Sequence, residues 1–121
     1  MKIVTTMPTD KPARSNRVPK GIMQPLAKLV EYQSGAIVCR RIIKNQSGTV
    51  TLFAFDIAQS LSEHTAPFDA LVQVIDGVAE ITISGKASSL HEGDMIIIPA
   101  NEPHAVQAVS RFKMVLTLIR A

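Results

Sequence analysis

Apolar residues in this chain occur as short, β-branched runs that are separated by turn-forming residues. From position 36 onward, seven such runs predict seven strands, at residues 36–43, 49–55, 70–76, 78–84, 94–100, 104–109 and 112–120. Apolar and polar residues alternate in the fourth run, as expected for a strand with one buried face. Short strands at this spacing, with almost no helix, predict an antiparallel sandwich or barrel.

Turn-forming residues lie between the predicted strands and support their boundaries. They occur at residues 45–48, 76–77, 84–85, 91–94 and 101–103. The Asp76-Gly77 pair is the strongest hairpin signal among them. Only Gln24–Tyr32 resembles a helix, because its apolar residues are three and four positions apart.

The chain is short and apolar enough to form one globular unit. Its 121 residues predict a single domain, and 46% hydrophobic against 19% charged residues excludes a disordered chain. Apolar runs such as Leu52–Phe55 are only four residues long, which is too short for a membrane helix. The start of the chain lacks the apolar stretch of a secretion signal, and there is a single cysteine, Cys39. These observations predict a cytoplasmic protein.

Basic residues are concentrated at the start of the chain. The first twenty positions hold five basic residues and one acid, whereas the remainder holds eight basic and nine acidic residues. Three prolines in the same segment oppose regular structure. We therefore predict an N-terminal arm at residues 1–23, either solvated or docked on the protein itself, and a barrel at residues 24–121. Aromatic residues are only 4% of the chain, so nucleic acid is not an expected partner.

Two segments carry a pair of motifs. Residues 63–77 read EHTAPFDALVQVIDG, and residues 93–104 read GDMIIIPANEPH. They resemble the first and second motifs of the cupin superfamily, with matches at His64, Pro67 and Gly77, and at Gly93, Pro99 and His104. The resemblance implies an all-β fold, the small cupin jelly-roll barrel, and the short N-terminal helix predicted at Gln24–Tyr32 would lie in front of it. It also implies an interior metal or small-molecule site, usually in a dimer.

The chain departs from the family at the positions that hold metal. Metal-binding cupins supply two histidines one residue apart, a glutamate, and a histidine in the second motif. Here His64 and His104 occupy the first and last of these positions, whereas Ala66 and Ala70 occupy the other two. Elsewhere in the pattern, Ala58 and Asn101 replace glycine.

Asp69 is the best available substitute for the missing glutamate. An ordinary strand would direct it to the opposite face, whereas a bulge near Pro67 would reverse that direction. Two hypotheses follow. Either His64, His104 and Asp69 weakly bind a divalent transition metal of unknown identity, or the two imidazoles line a metal-free pocket and hydrogen-bond a ligand.

The first function predicted is therefore a small-molecule-binding cupin with an interior pocket. Its expected lining residues are His64, His104, Gln73, Phe53 and Met95. The alternative is a metal-dependent cupin enzyme of the dioxygenase or isomerase type. A homodimer is also expected, because residues 70–75 and 112–119 carry apolar side chains at both odd and even positions. Both faces of these strands must therefore be covered by other residues.

Overall fold

The structure, a computed structural model, describes residues 3–5 and 17–120, the first of these segments by its backbone alone. Strands dominate the described residues, and the all-β barrel prediction is confirmed. The strands are β1 (Ile3–Thr5), β2 (Ile37–Asn45), β3 (Gly48–Phe55), β4 (Ser60–His64), β5 (Asp69–Ile83), β6 (Lys86–Leu90), β7 (Met95–Ile98) and β8 (His104–Ile119). No helix in the described part of the chain has the length and apolar character needed to cross a membrane.

Two long strands, β5 and β8, connect two sheets. Residues 69–74 of β5 pair with residues 114–119 of β8, and this first sheet continues through β3 and β2 on one side and β7 on the other. Residues 79–83 of β5 pair with residues 104–108 of β8, and this second sheet is completed by β4 and β6. Apart from the parallel β1–β2 pair, all of these pairings are antiparallel.

The bend in β5 lies at residues 75–78, where its pairing with β8 shifts register twice. Gly77 has a φ of +75°, and a Cβ atom added there would overlap the carbonyl oxygen of Arg111. The Val78 amide donates a hydrogen bond of 3.0 Å to Ser110 Oγ across the bend. The prediction of a hairpin at Asp76-Gly77 is therefore wrong, because this glycine serves a bulge within one continuous strand.

A single cluster of apolar side chains fills the space between the two sheets. Phe55 and Phe112 are fully buried, and their rings stack with centroids 4.5 Å apart. The other buried members are Ile37, Ala70, Val72, Val74, Ala79, Ile81, Leu90, Ile98, Val106, Ala108 and Met114. Removing a ring of this size from water stabilises the fold by roughly 1.5–3 kcal/mol.

Residues 26–32, which we call the strap, cover part of the outer face of the first sheet. Val30 is 2% exposed and belongs to a cluster with Val38, Leu52, Ala54 and Val115. The apolar periodicity that predicted a helix over Gln24–Tyr32 serves this packing instead. The segment contains one 3₁₀ turn, Leu26–Lys28, which follows Pro25 and has no side-chain cap.

Hydrogen bonds fasten the strap to the sheet below it. Tyr32 Oη donates to Asp76 Oδ2, Lys113 Nζ donates to the Ala27 carbonyl, and Arg40 Nη1 donates to the Leu29 carbonyl. Burial and the adjacent Asp76 carboxylate raise the pKa of the Tyr32 phenol, so this group remains a hydrogen-bond donor at neutral pH.

Asp56 joins the residues just before β2 to the middle of β8. Its Oδ2 atom accepts the Gly35 amide at 2.7 Å, and its Oδ1 atom accepts Arg111 Nε at 2.7 Å. The Gly35 amide and then the Arg111 side chain lower the pKa of Asp56 to about 2. Because the folded-state pKa is depressed, the ionised carboxylate contributes stability above its ordinary pKa of about 3.9, and this contribution is lost as the pH falls toward 2.

Part of the segment predicted as an arm is a strand. Residues 3–5 form β1, which pairs in parallel with Ile37–Cys39 at the start of β2. Residues 1–2 and 6–16 lie outside the described residues. The predicted boundary after residue 23 therefore stays a prediction.

Candidate functional site

His64 and His104 lie side by side on neighbouring strands. His64 ends β4 and His104 begins β8, and the register makes them direct cross-strand partners. Such partners share one face of the sheet. His104 is 8% exposed and lies on the inner face, in alternation with Val106 and Ala108, whereas His64 is exposed. Their ring centroids are 4.3 Å apart with an interplanar angle of 62°, so the two imidazoles meet edge to face.

The two imidazoles make the same local hydrogen bond. His64 Nδ1 is 2.8 Å from the Ser62 carbonyl oxygen, and His104 Nδ1 is 2.9 Å from the Glu102 carbonyl oxygen. Because a carbonyl oxygen only accepts hydrogen bonds, each Nδ1 carries the hydrogen. In the neutral imidazole, each Nε2 then has a free lone pair. No hydrogen bond from another described residue reaches either Nε2 atom.

Loops on either side of the histidines are tied to each other. The Asn101 amide donates to the Ala66 carbonyl at 2.7 Å, and the Ala100 amide donates to Asp69 Oδ1 at 2.9 Å. These bonds join residues 99–103 to residues 65–69, and we call this end of the barrel, with its two histidines, the mouth. Asn101 has a φ of +68°, a left-handed conformation that asparagine tolerates better than most residues. The structure thus explains why the family pattern has glycine at this position.

Asp69 does not join the histidines. It is exposed, its neighbour Ala70 is buried, and its carboxylate accepts the Ala100 amide instead. The strand alternation is therefore not reversed by a bulge. Among the residues that the structure describes, no group of three or more His, Cys, Asp or Glu side chains is placed to hold a metal ion. Two imidazoles alone do not complete the donor set of a metal site.

Two of the expected pocket residues lie outside the barrel. Gln73 is exposed between buried neighbours in β5, and Met95, its cross-strand partner in β7, is 52% exposed. Both belong to the outer face of the first sheet, so their prediction as pocket-lining residues is wrong. Phe53 does face inward, but it packs on the apolar cluster with its ring centroid 6.1 Å from that of Phe55.

Two small depressions elsewhere in the described part of the chain are not lined by either histidine. One, of about 150 Å³, lies on the outer face of the second sheet. Its lining residues are Ser60, Leu61, Glu80, Thr82, Ala105, Val106 and Gln107. The other, of about 50 Å³, is lined by Gly48, Thr49, Phe68, Leu118 and Arg120. The histidine pair therefore lies apart from both of these depressions.

The site also depends on groups that sequence reasoning missed. The carbonyl oxygens of Ser62 and Glu102 orient the imidazoles, and each lies two residues before the histidine it binds. Backbone groups leave no residue-type signal in a sequence. The spacing of two residues between carbonyl and histidine occurs in both strands, and it becomes recognisable only in the structure, where β4 ends and β8 begins at the mouth.

The fold and the site together define a class, that of small jelly-roll barrels with a histidine pair at one end. The model of the family described as Cupin domain matches residues 51–120, which is more than half of the chain. The protein therefore belongs to the cupin family.

Solved structures agree with this assignment. A conserved protein of unknown function from Streptococcus pyogenes is 31% identical, with a TM-score of 0.83 over 88% of this chain and 93% of that chain. A cupin 2 conserved barrel domain protein from Leptotrichia buccalis is 40% identical, with a TM-score of 0.76 over 78% of this chain and 46% of that chain.

More distant neighbours include an enzyme. Salicylate 1,2-dioxygenase from Pseudaminobacter salicylatoxidans is 16% identical, with a TM-score of 0.65 over 69% of this chain and 26% of that chain. At this identity the likeness shows the fold alone. A search of curated proteins finds no match to this sequence.

Proposed function

We propose that this protein is a small-molecule-binding cupin whose ligand is held at the mouth by His64 and His104. The observation that supports the proposal best is the pair of imidazoles, 4.3 Å apart, with both Nδ1 atoms bonded to the backbone and both Nε2 atoms left for a ligand. Fixed polar groups of this kind orient ligands in small-molecule sites. A cytoplasmic location, expected from the single Cys39, is part of the proposal.

Binding is favoured over metal-dependent catalysis by the donor set. A catalytic metal site usually has three protein ligands and an open position. Within residues 17–120, no third His, Cys, Asp or Glu side chain combines with the two histidines in a group that could hold a metal ion, and the Asp69 carboxylate accepts the Ala100 amide. The enzymatic alternative has no specific observation in its favour. A divalent metal at the mouth would have two imidazole ligands and no carboxylate ligand from the described residues, which predicts weak binding.

A fragment screen by protein-observed NMR tests the proposed site. We expect bound fragments to shift the side-chain signals of His64 and His104 first, since these are the unsatisfied polar groups at the mouth. His64→Ala should weaken those fragments at least about tenfold, the effect of losing one hydrogen bond of roughly 1.5 kcal/mol.

The third histidine supplies the matched control. His91 is exposed in the turn predicted at residues 91–94, with Nδ1 3.9 Å from Asp94 Oδ2. His91→Ala should therefore leave fragment binding unchanged. Fragments that bind with equal affinity to the His64→Ala variant, or that collect in the depression beside Glu80 and Gln107, would place the binding site elsewhere.

A homodimer is the oligomeric state we propose. On the outer face of the first sheet, Met95 is 52% exposed and Ile97 is 58% exposed, and Leu71 lies opposite Ile97. The strap covers the neighbouring part of this face but not these residues. Exposed apolar residues grouped on one sheet face are typical of interfaces between proteins.

Light scattering measures this association directly. At micromolar concentration we expect twice the 13.1 kDa mass of one chain, and we expect Ile97→Lys to shift the equilibrium toward the monomer. Ile57→Lys is the matched control, because Ile57 is 59% exposed in the turn between β3 and β4. A single 13.1 kDa species for the unaltered protein would contradict the dimer.

A further inference from the structure

The histidine pair presents hydrogen-bond acceptors only. Each Nδ1 hydrogen is used by a backbone carbonyl oxygen, so the neutral rings have no N–H left for a ligand. We propose that the ligand is a small neutral or cationic molecule with O–H or N–H donors, such as a polyol or an amine, and not a carboxylate or phosphate. This inference rests on the proposed function, since it specifies the ligand class of the same site.

The hydrogen-bonding capacity of the two Nε2 atoms determines this selection. Carboxylate and phosphate oxygens would bring their own lone pairs against two Nε2 lone pairs, whereas a hydroxyl or ammonium group donates to them. When a ligand shields both groups from water, an acceptor that meets another acceptor stays unpaired, and this weakens binding about tenfold or more. The His104 side chain is only 8% exposed, so a ligand seated against it would shield its Nε2 atom from water.

Charges around the mouth act in the same direction. Residues 60–70 and 96–106, which carry the two histidines and their loops, contain Glu63, Asp69 and Glu102 but no Lys or Arg. Asp69 and Glu102 accept hydrogen bonds from the Ala100 amide and from Ser84 Oγ, which keep these carboxylates near the mouth. An anionic ligand would therefore be repelled as it approaches.

Two basic residues lie near the mouth. Lys86 is exposed and is the cross-strand partner of Ile83, which in turn is paired with His104. The Arg120 guanidinium lies 5.6 Å from the ring centroid of Phe68, in the loop after β4. Neither residue donates a hydrogen bond to a described group at the mouth. The local balance of three acids against two exposed bases still favours a cation.

Two probes of equal size separate the ligand classes. Ethanolamine and acetate each have four non-hydrogen atoms, but the first offers N–H and O–H donors and the second only acceptors. The protein is first dialysed against chelator, and each probe is titrated at pH 8. Long-range ¹H–¹⁵N spectra report Nδ1 and Nε2 of all three histidines separately.

We expect both Nε2 signals of His64 and His104 to be those of unprotonated nitrogen and to shift saturably with ethanolamine. Acetate should bind at least about tenfold more weakly, the ratio that one charge-assisted hydrogen bond provides. His91 is the internal control in every spectrum, and its signals should not move saturably.

The outcomes separate this inference from the proposed function. Acetate binding at His64 and His104 with equal or higher affinity would overturn the ligand class while supporting the site. Spectra with the hydrogen on Nε2, or ethanolamine shifts that are equal at all three histidines, would also overturn it. Ethanolamine binding that leaves the His64 and His104 signals unmoved would instead refute the site itself.

Discussion

Gly77→Ala is expected to remove most of the stability of the barrel. The added Cβ atom would overlap the Arg111 carbonyl oxygen and approach the backbone of Phe112, and the residue would also have to adopt a φ of +75°. Neither strand can move away easily, because β5 and β8 pair on both sides of the bend. We expect a loss of about 4 kcal/mol or more, at the extreme end for single substitutions. Urea unfolding measures it.

Gly85→Ala is the matched control for this variant. Gly85 has a similar φ of +82°, but a Cβ atom there meets nothing within 4 Å. Its loss should be only about 1–2 kcal/mol, the cost of a left-handed conformation alone. If the two variants lost equal stability, the overlap with β8 would be relieved by a backbone shift and the account of the bend would be wrong.

Restoring the family's ligands should create a tight metal site. We expect Ala66→His combined with Ala70→Glu to bind Zn²⁺ at least about 100-fold more tightly than the unaltered protein, measured by calorimetry. Even an outer-shell partner changes metal affinity by about 10–100-fold, and two direct ligands should do at least as much. Ala70 is 4% exposed on the inner face of β5, so a glutamate at this position would lose its hydration. A bound metal ion would compensate the buried charge, which favours metal binding.

Two comparisons make this result interpretable. Ala66→His with Ala70→Gln keeps the shape of the glutamate without its charge, and should bind Zn²⁺ more weakly than the glutamate version. The unaltered protein should release any metal on dialysis against chelator. Stoichiometric metal retained after that dialysis would show that a third ligand exists, and would revive the metal-dependent alternative.

The barrel could be predicted from the sequence because its signals are local. The strand β7 (Met95–Ile98), for example, is preceded by Gly93 and followed by Pro99. Glycine favours a turn, and proline cannot donate a backbone hydrogen bond to a neighbouring strand, so the two residues mark the ends of β7. The short polar strands β4 (Ser60–His64) and β6 (Lys86–Leu90) were missed, since neither carries an apolar run. Ala58 and Asn101, noted as replacements of glycine, adopt left-handed φ values of +67° and +68°.

The candidate site was predictable only where a motif marked it. The motifs identified His64 and His104, which the structure brings together. Gln73 and Met95 were misplaced because their strands carry apolar residues on both faces. In such a strand, an apolar or uncharged residue does not reveal which face is buried. Asp69 kept the ordinary alternation of its strand, and the hydrogen bond that occupies it comes from a loop thirty-one positions away.

The continuity of β5 and β8 through both sheets has a consequence for how the molecule opens. Each of these strands contributes one half to either sheet, so breaking one sheet releases residues that the other needs for its hydrogen bonds. Partial opening is therefore confined to the short strands at the margins, such as β4, β6 and β7. We therefore expect amide protons in the central parts of β5 and β8 to exchange with solvent only through unfolding of the whole barrel, with the same free energy of opening in both sheets.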